Sequence, residues 1–208
     1  VTASADLAHN IGFFSFITYG DGKIFVPEVG GVMEAFDLSS LSSLWTSEAF
    51  KGQSNCQTTY AGGCVYSGTW SGTGGGTFFC LDATNGSTKW KAADTGGYYW
   101  AGAVAVGRYV VFGGDSGVVY VCDQATGTVV SQYDMGGLIR GCIAYDAGTG
   151  AIYFTGGTGA GGSGMNSITG DPKCYQIKID PGTGTLGAVK AAALPAISTT
   201  TPVVYNGR

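Results

Sequence analysis

The stretch Cys80-Leu81-Asp82-Ala83-Thr84-Asn85-Gly86-Ser87-Thr88-Lys89-Trp90 decides how the rest of the chain is read. It begins as an apolar strand. It then breaks at an Asp able to bond its own downstream backbone, and a Gly four residues on accepts positive φ; together these specify a tight hairpin turn. The phrase recurs as Asp37-Leu38-Ser39-Ser40-Leu41, Asp123-Gln124-Ala125-Thr126-Gly127 and Asp180-Pro181-Gly182-Thr183-Gly184. Trp45 and Trp90 follow their Asp at the same distance, whereas the third and fourth copies carry Ser131 and Ala188 there, and Leu41 replaces the Gly of the first copy.

Each turn follows a largely apolar run: Val32 to Phe36, Phe78 to Leu81, Val118 to Cys122 and Tyr175 to Ile179. Upstream of each lies a strand, a Gly-containing turn and another strand, as in Val104-Ala105-Val106-Gly107-Arg108-Tyr109-Val110-Val111-Phe112. One unit is thus a four-stranded antiparallel meander. The aspartates are 45, 41 and 57 residues apart, close to the ~40 to 50 of propeller blades. The sequence therefore predicts an all-β chain, a single β-propeller segment. Its blades lie at about 12–50, 56–94, 102–135 and 141–193, and 199–208 supply the first strand of a fifth.

Composition agrees. Of 208 residues 38 are glycine and 12% are charged, against usual values of about 7% and about 25%. Glycine at this level penalises helices, while 44% hydrophobic residues supply a core and exclude disorder. A net charge of -4 and a pI near 4.7 leave no basic stripe for nucleic acid. No apolar run reaches the ~18 residues of a membrane span, and the opening Val1-Thr2-Ala3-Ser4 reads as part of a longer chain. Six cysteines without Cys-x-x-Cys spacing argue against a zinc or redox motif.

The unit of strand, Gly turn, strand and Leu-Asp-x-x-Thr-Gly-x-x-x-Trp resembles the quinoprotein-like (PQQ-like) propeller repeat. It does so over about Gly12 to Lys190, most clearly at Cys80 to Trp90 and Tyr120 to Gly127. The resemblance implies rings of seven or eight blades and functions that range over dehydrogenases, envelope assembly scaffolds and surface proteins. Four blades would then be half of a larger propeller, a homo-oligomer or partner would complete the ring, or a small ring would close by itself. The quinone enzymes of the family are implied to carry a vicinal cysteine pair, a bound calcium and a catalytic Asp. This chain has no Cys-Cys dipeptide, and its repeated aspartates are explained by their turns, so no catalytic residue, cofactor or metal is assigned.

Function is expected on the rim where the lead-in loops meet those between second and third strands. Two of the latter are enlarged, Gly68 to Thr77 with Trp70, and Gly156 to Lys173 with Met165, Asn166 and Asp171. The segment Gly96 to Ala101 is expected to bring Tyr98, Tyr99 and Trp100 near Trp70. Such aromatics suit stacking on a sugar or gripping a peptide, and equally suit packing between blades. Arg140, on the same rim, is a candidate anion holder. His9 reads as a solvated terminal residue, the Gly-rich strings at Gly72 to Thr77 and Gly157 to Gly164 as flexible hairpin tips, and Asp21 and Asp115 as turn formers. Cys80 and Cys122 point to opposite blade faces and can meet between blades, with buried free thiols the favoured alternative. These readings point to a non-catalytic binding or scaffold segment of an exported, extracellular or envelope protein, with a protein or glycan partner. The alternative is a fragment of a quinone-dependent dehydrogenase.

Overall fold

The computed structural model describes residues 3–12, 16–72, 75–94, 96–160 and 168–205, with nothing said of side chains at 93, 94, 159, 160, 168 and 169. Its Met165 and Asn166 loop tip therefore lies outside the described residues. No helix occurs among them; there are sixteen strands. These form four sheets, each of four antiparallel strands in sequence order. The first contains β1 (Thr18–Gly20), β2 (Lys23–Glu28), β3 (Val32–Asp37) and β4 (Ser43–Thr46). The second contains β5 (Thr59–Ala61), β6 (Cys64–Gly68), β7 (Gly76–Asp82) and β8 (Thr88–Asp94). The third contains β9 (Val104–Val106), β10 (Tyr109–Gly113), β11 (Val118–Asp123) and β12 (Val129–Asp134). The fourth contains β13 (Ala144–Asp146), β14 (Ala151–Ala160), β15 (Ile168–Ile179) and β16 (Leu186–Ala193). The chain divides into two compact units, Val1–Tyr99 with the first two sheets and Trp100–Arg208 with the last two.

The repeated phrase makes the same turn four times. Asp37, Asp82 and Asp123 each end a third strand and Asp180 directly follows one, and their carbonyls accept from Leu41, Gly86, Gly127 and Gly184 N–H at 2.7 to 2.9 Å. Each carboxylate caps the turn from inside: Oδ1 of Asp82 accepts from Thr84 N–H at 2.8 Å, and Oδ1 of Asp180 from Gly182 and Thr183 N–H at 2.7 and 3.2 Å. The fifth residue is left-handed in every copy, with φ of 74°, 71° and 73° at the three glycines and 59° at Leu41. The turn's odd count forces a bulge against the fourth strand just before each Asp, at Ala35/Phe36, Cys80/Leu81, Val121/Cys122 and Ile177/Ile179.

Within the first unit the two sheets close on Phe25, Met33, Ala35, Phe50, Val65, Phe79 and Leu81, with Phe50 and Phe79 stacked at 4.1 Å. The second unit closes on Val111, Val121, Ile152, Phe154, Tyr175 and Ile177. In each unit the lead-in segments of its two sheets run side by side, through parallel bridges Phe16 to Gln57 and Gly102 to Cys142.

Trp45 explains the Trp of the repeat. Its Nε1 donates to the Ala83 carbonyl at 3.2 Å in the next sheet's Asp turn, and its ring lies where a Cβ on Gly86 would stand, 2.4 Å away. The second unit reaches the same end without Trp. Ser131 Oγ donates to the Gly184 carbonyl at 2.6 Å, and Tyr109 brings its ring against Gly184 and its hydroxyl to the Gly182 carbonyl at 3.1 Å. Residues 199–205 form no strand; Thr201 Oγ1 accepts from Cys142 N–H at 3.2 Å, which ties the segment to the fourth sheet's lead-in.

Candidate functional site

The rim of the first unit is built from the β6 to β7 loop and the segment leading into β5. Gln53 and Trp70 form an antiparallel bridge, with Gln53 N–H to the Trp70 carbonyl at 2.8 Å and Trp70 N–H to the Gln53 carbonyl at 3.1 Å. Directly paired residues raise their side chains from one face. The backbone at Lys51 and Gly52 is left-handed, with φ of 58° and 97°. A Cβ on Gly52 would come within 2.9 Å of the Trp70 carbonyl oxygen, so glycine permits this close approach.

Trp70 is half-buried, and its indole lies against Tyr99 with ring centroids 4.6 Å apart at 57°. Gly97 stands close behind its pyrrole edge, where a Cβ would be 3.1 Å from Cδ1. Ser71 N–H and Oγ both donate to the Gly75 carbonyl, at 3.1 and 2.9 Å, which closes the loop beside it. Gly76 is packed so tightly that a Cβ would meet the Thr69 carbonyl oxygen at 2.0 Å. The glycines expected as flexible tips are, at this position, close-packing residues.

The remaining sequence candidates fall in different places. Tyr98 is fully buried, its ring 5.3 Å from Phe78, and supports the rim from beneath. Trp100 belongs to the second unit, is half-buried, and holds φ at 58°. Arg140 is also in the second unit and is buried against Asp115: Nε donates to Oδ1 and Oδ2 at 2.9 and 3.2 Å, and the other end of the guanidinium to Oδ2 at 2.5 Å. Its charge is committed to the carboxylate of Asp115, a residue expected only to shape a turn. The repeat residues Asp37, Asp82, Gly86, Asp123, Gly127, Asp180 and Gly184 sit in the turns described above, away from the rim loops.

Beside the Trp70 to Gln53 bridge lies a cavity of about 260 Å³ walled by Gly12, Val29, Gly30 and Gly52 and floored by Gln53, Ser54 and Asn55. Ser54 and Asn55 are buried. Asn55 Nδ2 donates to Gln53 Oε1 at 2.9 Å, and Ser54 Oγ donates to the Glu28 carbonyl.

Sequence reasoning missed a second cluster in this unit. Glu28 and Glu34 are both buried, diagonal neighbours on β2 and β3, and they hold the residues before β1. Glu34 Oε2 accepts from Ala8 N–H at 2.9 Å; Glu28 Oε2 accepts from His9 N–H at 3.1 Å and lies 3.0 Å from His9 Nδ1. His9 remains exposed, as expected, but is tied down through this contact. Burial and then the neighbouring Glu34 push Glu28 above the usual carboxylate range, whereas donation from Ala8 and Ser43 draws Glu34 below it despite its own desolvation. Glu28 is therefore the more readily protonated of the pair. Nothing in two glutamates drawn together across strands could be read from the alternation of the sequence.

All six cysteines are thiols, and five are buried. Cys80 lies beside Cys64 and Tyr66 on its own sheet; desolvation first, then Cys64, raises it strongly, against a smaller lowering from the Tyr66 hydrogen bond. Burial pushes Cys122 up to about 12. Nucleophilic thiolates are thereby disfavoured. The groups implied for a quinone site do not fit: adjacent cysteines are absent from the sequence, and among the described residues no three His, Cys, Asp or Glu side chains converge as metal ligands.

No protein-family model matches the chain, and no curated protein matches it. Solved structures do. BamB from Moraxella catarrhalis aligns with a TM-score of 0.64 and 20% identity, over 90% of this chain and 50% of that one. Quinohemoprotein alcohol dehydrogenase from Comamonas testosteroni aligns at 0.58 and 15%, over 88% and 35%. A europium-containing methanol dehydrogenase aligns at 0.55 and 15%, over 84% and 40%. The chain spans half or less of each of these proteins. Its four meander sheets are blades of the β-propeller fold that these structures share.

Proposed function

We propose that this chain is a non-catalytic binding segment of an extracellular or envelope propeller, and that the first unit's rim around Trp70 is its recognition surface. The carrying observation is the anchoring of Trp70: its backbone is bonded in both directions to Gln53, and its half-buried indole is wedged between Tyr99 and Gly97. A large, rigid aromatic with one side open loses little entropy on binding and suits a partner contact. Tyr98 acts beneath it as support. In the second unit, Trp100 is a further contact residue; a bulky side chain at positive φ is strained, and such strain concentrates at functional loops. Arg140 braces that unit's loops through Asp115. The envelope assignment is supported by the structural similarity to BamB and by the resemblance of the repeat. No helix among the described residues is long and apolar enough to cross a membrane.

The test is a screen of the purified chain on glycan and peptide arrays, repeated with Trp70→Ala. Ligands retained by the native chain and lost by the variant, at unchanged far-UV circular dichroism, support the reading. Ligands bound equally by both place recognition elsewhere.

A further inference from the structure

The cavity beside Trp70 goes unused by any contact so far assigned, and its chemistry is specific. We infer that it is a subsite for a neutral saccharide, a single pyranose ring seated on Gln53 and Asn55 with the Trp70 indole at its edge. This rests on the rim reading above and names the ligand class for it.

Three features select a sugar. First, the volume of about 260 Å³ is just below the range of drug-sized ligand pockets, ~300 to 1,000 Å³, and suits one ring. Second, no ionisable side chain lines it. The one internal amide bond, Asn55 Nδ2 to Gln53 Oε1, leaves Gln53 Nε2 as a donor and Asn55 Oδ1 as an acceptor, each without a partner among the described residues. Turning both amides over exchanges the two roles but still leaves one donor and one acceptor. That pair matches vicinal hydroxyls, which donate and accept, and brings no positive charge to an anion. Third, the strand edges described at two sides of the cavity are paired. One wall is closed by Val29 N–H donating to the Asn10 carbonyl at 2.9 Å, the other by the two bonds of the Gln53 to Trp70 bridge. An extended peptide adds to a free edge; here Val29 and Gln53 are already paired. Gln53 and Trp70 are paired across the bridge and so leave it on the same face; an amide and an aromatic so disposed suit a ring bearing hydroxyls on its rim and C–H bonds on its face.

The experiment is a titration of the intact chain with methyl β-D-glucopyranoside, N-acetylglucosamine and chitobiose, followed by calorimetry and by ligand-observed NMR. Saturable millimolar binding of at least one sugar, insensitive to 0.5 M sodium chloride, is expected. Trp70→Ala should weaken it at least tenfold and Gln53→Ala several-fold; Gln53 is exposed, so its variant folds even if the Trp70 variant does not. Binding of none of the three sugars, or binding unchanged in Gln53→Ala, overturns the inference. A peptide from the array lost in Trp70→Ala without any sugar binding overturns it too while leaving the rim reading intact; loss of no ligand of either kind overturns both.

Discussion

Replacing Asp115 by Asn probes how the second unit holds its loops. Arg140 and Asp115 side chains are 4% and 6% exposed, and the guanidinium makes bonds to both carboxylate oxygens. In water such a pair contributes at most about 1 kcal/mol. Here both charges have been desolvated, and removing one leaves the other buried without its counter-charge, a change that costs about 3–5 kcal/mol. For a chain of this size that lowers Tm by on the order of 10 °C. Urea unfolding followed by tryptophan fluorescence measures it directly. The double replacement Arg140→Met with Asp115→Leu should recover most of the loss, since an apolar pair of similar volume avoids the desolvation penalty. A loss below about 1 kcal/mol for Asp115→Asn would refute the reasoning, because it is the value of a solvated pair.

Four other outcomes follow from the repeat and its packing. Leu41→Gly should raise stability by up to about 1 kcal/mol, since an L-residue in the left-handed region carries a penalty of roughly that size; Gly86→Ala should lower it by roughly 2–4 kcal/mol through positive φ and collision with Trp45, both read from urea midpoints. The turn aspartates Asp37, Asp82, Asp123 and Asp180 are held below the usual carboxylate range, mainly by donation from their own turns, with Arg108 the first cause at Asp123. Their contribution is therefore complete above the unfolded value of about 3.9 and is lost as pH falls below it, so the urea midpoint should drop between pH 4 and 2, and replacing all four by Asn should remove most of that drop; an unchanged drop in that variant would contradict these turn bonds. Ellman's reagent should label Cys174, the one partly exposed thiol, before any other, and only slowly, because burial raises its pKa.

The blades were legible because their signal is local. An Asp, a capped turn and a left-handed Gly span five residues, so the turn can be read without knowing what packs on it, and even Leu41 was recognisable as a departure at that position. The Trp of the repeat was visible, but its role was not, since the carbonyl that Trp45 meets at Ala83 lies in the next blade. Ser131 and Tyr109 divide between them what Trp45 does alone, and no single-position comparison reveals such a substitution. Trp70 and Tyr99 were found together because both lie in loops flanking the same blade. The Arg140 to Asp115 pair, the Glu28 to Glu34 diagonal with His9, and the cavity over Gln53 and Asn55 are products of tertiary contact between segments that carry no mark of each other.

The claim that matters most is that the first unit's rim binds a ligand through Trp70, Gln53 and Asn55. It is tested most directly by NMR of isotope-labelled chain titrated with chitobiose, observing the indole N–H and the side-chain amides. Shifts that saturate together at Trp70, Gln53 and Asn55, with those of Trp45 and Trp90 unmoved, are the predicted result. Unmoved signals at these three residues while others shift would contradict the account.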